Sequence, residues 1–268
     1  MAQRRRLDAE LVRRNLARSR EHAATLVADG RVRVAGMVAT KPATSVDPAV
    51  ALVVVEPPIG EEYVSRGGHK LAGALDAFAA DGLTVAARRC LDAGASTGGF
   101  TDVLLRRGAA AVVAVDVGYG QLAWSLRSDE RVDVHDRTNV RDLTPQIVGE
   151  PVDVVVADLS FISLRLVVAP LRAVAGPGAD FVLMVKPQFE VGKDRVGKGG
   201  VVRDPALRAE AVCSVADTAA EQGLGVAGVA ASPLPGPSGN VEYFLWLRAD
   251  AGPVDRSAVD RAVEEGPT

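Results

Sequence analysis

The chain has 268 residues, a formal net charge of −3, two cysteines and three histidines. That length suits one full domain plus a small one, and so few cysteines and histidines suit neither a disulfide framework nor a metal site. No apolar run approaches a membrane span, and the basic amino terminus lacks the apolar segment of a signal peptide, so a cytoplasmic protein with no membrane partner is expected. Residues 1–41 hold ten basic side chains against four acids, on a chain that is otherwise mildly acidic. Such an end faces polyanions. Leu7, Leu11, Val12 and Leu16 recur at helical spacing with arginines on the other face, and Ser19 caps a second helix that stops at Gly30. Arg31–Val34 alternates as a half-buried strand, Ala35-Gly36 turns, and Ala51–Val55 makes another strand.

Pro57, Pro58 and Gly60 mark a connection between domains. The chain thus divides into residues 1–59, a linker at 60–65, a second domain at 66–248, and a polar, acidic, flexible tail at 249–268. Lys70 opens an apolar-periodic helix (Leu71, Leu75, Phe78), at the end where a cation is least welcome. A residue placed against local preference points to function. Arg89–Thr101 then reads as strand, glycine turn and helix, and two further apolar strands end at Asp116 and Asp158. Acids at the carboxyl ends of parallel strands around a glycine turn describe a nucleotide-type site on an open α/β sheet.

Two motif readings of this region fail on detail. Gly94-Ala95-Ser96-Thr97-Gly98 matches a hydrolase nucleophile elbow, but only His135 follows Ser96, and a Ser96–Asp116–His135 triad would be squeezed into too little chain. The dinucleotide fingerprint fails because Ser96 occupies the second glycine position. Further on, Gly192–Lys198 fits a phosphate-loop pattern, but Gly199 replaces the magnesium-binding Ser or Thr, which leaves a mobile basic loop. Later, Asp204 caps a helix with Pro205 in its first turn, and a pair of closing strands runs from Val226 to Leu247, with Glu242 in the last.

Asp92-x-Gly94-x-Ser96-x-Gly98-Gly99-Phe100 resembles motif I of class I methyltransferases. The resemblance implies a Rossmann-like α/β domain with a seven-stranded sheet, an antiparallel last strand and S-adenosylmethionine (SAM) as cofactor. It assigns cofactor binding to Asp92, Gly94, Ala95, Ser96, Thr97, Gly98, Gly99, Phe100, Asp116, Val117, Tyr119, Asp136 and Asp158, with Asp116 at the ribose hydroxyls and Tyr119 against the adenine. Lys70, Asp158, Lys186 and Glu242 resemble the K-D-K-E tetrad of FtsJ-like ribose 2′-O-methyltransferases. The segment Leu159–Ser163 falls where such enzymes meet their acceptor. Arg6-Leu7-Asp8, Ser19-Arg20 and Gly30-Arg31-Val32-x-Val34-x-Gly36 resemble a small α+β S4-type RNA-binding domain, with Ala35 where Asn is usual.

Taken in one order, these motifs resemble the TlyA family of the longer actinobacterial type, whose members methylate cytidine 2′-hydroxyls in 16S and 23S ribosomal RNA and were long labelled haemolysins. The linker Glu61-Glu62-Tyr63-Val64 departs from the Arg-Ala-Trp-Val of mycobacterial members. The resemblance implies a monomer acting on ribosomal subunits without a metal. By resemblance and charge, Arg4, Arg6, Arg18, Arg20, Lys41, Arg66, Arg137 and Lys193 face RNA. A silent RNA-binding assembly factor, or a membrane-active haemolysin, are the other readings. The first need not keep the tetrad, and the second needs an amphipathic or spanning segment that is not found.

Overall fold

The structure is a computed structural model that describes residues 4–17, 19–28, 30–55, 63–236 and 238–267. Arg18 and the linker residues 60–62 lie outside the described residues. The chain divides into two compact units, residues 1–65 and 66–268.

In the first unit, β1 (Arg5–Arg6) runs antiparallel to β4 (Ser45–Val46), and α1 (Leu7–Arg13) and α2 (Arg20–Ala28) follow β1. β2 (Val32–Val34) lies between β3 (Met37–Val38) and β5 (Leu52–Val54), antiparallel to both. The apolar positions that set the helical period, Leu7, Leu11, Ala23, Leu26 and Val27, close over Val32 in one core. Ser19 caps α2 as its sequence predicts, its hydroxyl accepting from the His22 amide at 3.1 Å. Ala35 and Gly36 both take positive φ, 49° and 85°. That is the left-handed pair a two-residue hairpin needs, so Ala35 makes the turn that Asn would make with less strain. Strands β1 and β4 were not evident in the sequence, being two residues each.

The second unit begins with α3 (Arg66–Ala79) and then alternates strand and helix: β6 (Arg89–Ala93), α4 (Gly99–Arg106), β7 (Ala111–Asp116), α5 (Trp124–Arg127), β8 (Val132–Asp136), α6 (Pro145–Val148), β9 (Val152–Ala157), α7 (Val168–Ala173) and β10 (Ala175–Val185). It ends with α8 (Pro187–Glu190), α9 (Pro205–Glu221), β11 (Gly225–Ala231), β12 (Tyr243–Arg248) and α10 (Arg256–Glu265). The seven strands lie in the order β8-β7-β6-β9-β10-β12-β11. β12 alone runs against its neighbours. Strands buried on both faces read as near-continuous Val and Ala runs, which is why β7 and β9 were visible in the sequence. The order reverses between β6 and β9, which pair directly. The crevice beyond the carboxyl ends of those two strands is where such a sheet takes its ligand.

Two expectations need correction. Glu242 stands one residue before β12 rather than inside it. Residues 249–267 are not a frayed tail. Asp255 caps α10 by accepting from the Ser257 amide at 2.9 Å, and Val259, Ala262 and Val263 sink into the main core. Those three recur at i, i+3 and i+4, a narrow apolar stripe masked by the charges around it. A second tie comes from the backbone, where the Val226 amide donates to the Gly252 carbonyl at 2.8 Å. Val259→Ala is expected to lower the stability of this unit by about 1.5–3 kcal/mol, the worth of a fully buried valine side chain. Urea denaturation followed by tryptophan fluorescence reads it; a change under about 0.5 kcal/mol would mean that α10 does not belong to the folded unit.

Candidate active site

The glycine turn between β6 and α4 is shaped by contact with the next strands. Gly94 has φ +90°, and a Cβ there would lie 2.6 Å from the Asp158 carbonyl oxygen. Glycine lets the ends of β6 and β9 meet. Asp116, at the end of β7, draws the turn toward itself: Oδ2 accepts from the Ser96 amide at 2.8 Å and Oδ1 from the Gly118 amide at 2.6 Å. Ser96 carries φ +47° to present that amide. Each Asp116 oxygen keeps a lone pair for a further donor.

Asp92 is fully buried at the end of β6. Oδ2 accepts from the Thr101 hydroxyl at 2.7 Å, while Oδ1 has no partner among the described residues. Burial pushes its carboxyl up to about 7, against the Thr101 hydrogen bond, with the neighbouring Asp158 and Asp116 charges adding to the rise. Thr101 was not among the sequence candidates. Ala95, Ser96, Thr97, Gly98 and Gly99 line the turn, but the Phe100 side chain packs into the core with its ring centroid 6.1 Å from that of Phe244. Asp136 pairs with Arg127 at 2.8 Å. Val117 and Tyr119 are each 67% exposed, and the Arg137 guanidinium sits 4.3 Å from the Tyr119 ring centroid.

The four charged candidates form two pairs. Lys70 Nζ donates to Glu242 Oε2 at 2.6 Å, with both side chains buried. Lys186 Nζ lies 2.6 Å from Asp158 Oδ1 and donates to Ser160 Oγ at 3.0 Å. The pairs are neighbours by register: Val185 faces Tyr243 across β10 and β12, so Lys186 and Glu242 follow side by side. Asp158 joins the glycine turn through its amide, which donates to the Ala93 carbonyl at 3.1 Å. One edge of the sheet therefore holds the turn, two ammonium groups and their carboxylates. Among the described residues there is no cluster of three metal-ligating side chains.

Two further residues shape this edge and were missed by sequence reasoning. Glu190 accepts from the Ser163 hydroxyl and the Leu164 amide. Asn240, 2% exposed, accepts from the Val202 amide at 2.9 Å and donates to the Gly200 carbonyl at 2.8 Å. It thereby pins the basic loop, in which Gly197 pairs with Val201, to the segment that carries Glu242. Lys193 and Arg137 are exposed and Arg66 is half-buried. In the first unit, Arg4, Arg6, Arg20 and Lys41 are exposed. Asp8 accepts from Arg6 through both carboxylate oxygens and from Arg20 at 3.0 Å, and this holds its carboxyl well below the usual range.

A mostly parallel sheet in this order, with a glycine turn and acids at its carboxyl edge and a lysine–carboxylate set beside them, defines a class I methyltransferase domain behind a small RNA-binding fold. The comparisons agree. Residues 63–249 match the FtsJ-like methyltransferase family and residues 5–50 the S4 domain. The chain belongs to the TlyA family of FtsJ-like methyltransferases. It is 62% identical, over the whole of both chains, to the 16S/23S rRNA (cytidine-2′-O)-methyltransferase TlyA of Mycobacterium tuberculosis. It is 36% identical to hemolysin A of Brachyspira hyodysenteriae, covering 89% of this chain and 98% of that one. A solved structure from Streptococcus thermophilus, carrying the provisional name hemolysin, superposes with a TM-score of 0.76 at 35% identity, over 99% of this chain and 96% of that one. No helix among the described residues is long and apolar enough to cross a membrane.

The raised Asp92 carboxyl carries a pH signature. Between about 3.9, where an unfolded aspartate releases its proton, and about 7, the folded chain keeps a proton that the unfolded chain has lost. This group therefore makes stability fall as pH rises through that window. Asp92→Asn removes the titration, so the variant gains stability relative to wild type from pH 4 to 7 and holds the gain above it. Urea denaturation across that range tests it; a pH-independent difference would mean Asp92 titrates as an ordinary carboxylate.

Proposed function

We propose that the chain transfers a methyl group from SAM to the ribose 2′-hydroxyl of cytidine in 16S and 23S ribosomal RNA. The observation that carries this reading is the pair of lysine–carboxylate contacts, both lysines buried, set side by side next to the glycine turn. The full-length likeness to a relative of that named activity supports the choice of cytidine and of both RNAs.

The residues at the turn suit SAM. The buried, unpartnered Asp92 Oδ1 asks for a donor, which the ammonium of the methionyl part offers. Asp116 keeps acceptor capacity for a ribose diol, and Tyr119 and Val117 offer exposed surface for an adenine. SAM supplies a sulfonium methyl already activated for transfer. The chain must then align the attacking oxygen and manage one proton. Lys186, fixed by Asp158 and Ser160, is the group that meets the 2′-oxygen. Lys70, fixed by Glu242, places a second positive charge at the same edge. Phe161, 92% exposed on the loop after Asp158, offers an aromatic face to the acceptor base.

The first unit supplies the RNA grip. Asp8 fixes Arg6 and Arg20 while leaving N–H groups of both guanidiniums open to phosphate, so this end positions the substrate without reading its bases. Replacing Arg6 and Arg20 together by Ala should weaken subunit binding and flatten its dependence on log salt concentration by roughly 2. An unchanged slope would remove both residues from the interface.

The activity is tested by methyl transfer from labelled SAM to unmodified small and large subunits, beside naked rRNA. Label is expected in 2′-O-methylcytidine, and Lys186→Ala should lower the rate by about 10²–10⁴. No label on any RNA despite SAM binding would leave the reading of a silent RNA-binding factor. Lys186→Arg divides the roles: retained activity means the lysine orients the oxygen as a cation, and loss equal to Lys186→Ala means it must accept the proton.

A further inference from the structure

The loop after Asp158 and the helical turn after Lys186 are joined at three successive places. Lys186 meets Asp158 and Ser160 first. The Phe161 and Phe189 rings lie 5.3 Å apart next. Glu190 makes the third tie, and its side chain is almost wholly buried. Oε2 accepts from the Ser163 hydroxyl at 2.5 Å and from Arg165 Nε at 3.4 Å, while Oε1 accepts from the Leu164 amide at 2.8 Å. Arg165 Nη2 also donates to the Glu190 carbonyl at 3.2 Å.

Every polar contact found for this carboxylate is to the loop, and none is to the lysines or their partners. A buried carboxylate with this many donors is costly to desolvate and is kept for what its donors do when held. What lies between the first and third ties is Phe161, in the left-handed region at φ +64° and almost fully exposed. A phenylalanine this exposed gains little from burial, so the left-handed conformation persists only where the chain on both sides is fixed.

We propose that Glu190 is a positioning residue, whose carboxylate holds the 159–165 loop against α8 so that Asp158, Ser160 and Phe161 keep their places beside Lys186 before the acceptor arrives. The inference rests on the methyl-transfer reading of the same edge. It predicts which kinetic step suffers: the substrate still binds, but the oxygen is not brought into line, and a displacement of about 1 Å can cost a hundredfold in rate.

The test uses the full chain with Glu190→Gln, Glu190→Ala and Ser163→Ala. The first keeps size and one acceptor, the second removes the tie, and the third removes one donor and leaves the carboxylate. Calorimetry gives SAM affinity, single-turnover methyl transfer to ribosomal subunits at saturating SAM gives the rate, and hydrogen exchange gives the order of residues 159–165. For Glu190→Gln, SAM affinity, thermal midpoint and KM for subunits should stay near wild type. Exchange at Leu164 should quicken, and the single-turnover rate should fall by about tenfold to a hundredfold, with Glu190→Ala lower still and Ser163→Ala between. A loosened loop with a wild-type rate, unchanged exchange, or a rate loss matched by lost SAM binding would each overturn the proposal. A wild-type chain that methylates no RNA would instead overturn the methyl-transfer reading, and the exchange measurements would still decide whether Glu190 holds the loop.

Discussion

A buried ammonium needs a counter-charge, and the active-site edge of this protein is arranged around that requirement. Lys70 and Lys186 are 6% and 8% exposed, and each meets a carboxylate oxygen at 2.6 Å. Removing either partner would leave an uncompensated charge in the interior, which costs far more than the pair itself contributes. The pairing also dictates topology. Lys70 comes from the helix before the first strand of the sheet and Glu242 from the approach to its last, 172 residues later. Only a sheet in which β12 inserts antiparallel beside β10 brings Glu242 next to Lys186. The antiparallel strand is therefore part of the site.

The backbone is strained where the site needs it. Ser96, Arg137 and Phe161 are non-glycine residues with positive φ, and they follow β6, β8 and β9 at the carboxyl edge of one sheet. Ser96 turns its amide onto Asp116, Arg137 lays its guanidinium over Tyr119, and Phe161 stands in solvent above Phe189. Each such conformation costs of the order of 1–3 kcal/mol and survives because the flanking strands fix both ends. Leu91 and Ala93 of β6 and the buried Val and Ala runs of β7 and β9 provide that rigidity. Packing and chemistry meet at the last residue of each strand.

Legibility in the sequence followed the same division. Strand ends could be read because a parallel strand is an apolar run stopped by an acid, so Asp92, Asp116 and Asp158 announced the edge. Lys70 stood out as a cation at an expected helix start; α3 begins four residues earlier, at Arg66, and what compensates the buried ammonium is Glu242, a partner too far along the chain for any local pattern to show. Glu190 and Asn240 were invisible for that reason: their partners are other loops, and an isolated Glu or Asn reads as surface. Phe100, within a recognised motif, was read as a ligand contact, and its side chain packs in the core against Phe244, which the motif does not show. The α10 helix was missed because three small apolar residues among many charges fall below what composition suggests can anchor a helix. Their spacing, and Asp255 ahead of them, held the information.

The first unit uses the device of the second in a different setting. Asp8 and Glu10 are 4% and 0% exposed, yet each takes up arginines: Arg6 and Arg20 at Asp8, Arg13 and Arg14 at Glu10. The arginines hold both carboxyls low, Glu10 down to about 2, so these acids stay charged far below neutral pH. A free arginine side chain loses roughly 2 kcal/mol of rotamer entropy when it is fixed on an anion, and a carboxylate behind it reduces that loss by ordering the guanidinium beforehand. It also offsets part of the positive charge. The balance favours shape over strength: guanidiniums held at set positions rather than a loose surplus of positive charge. In the second unit, where the cations are buried, the same carboxylate-behind-cation arrangement fixes two ammonium groups side by side. A reaction that needs an RNA strand held in register and one oxygen held in line draws on both.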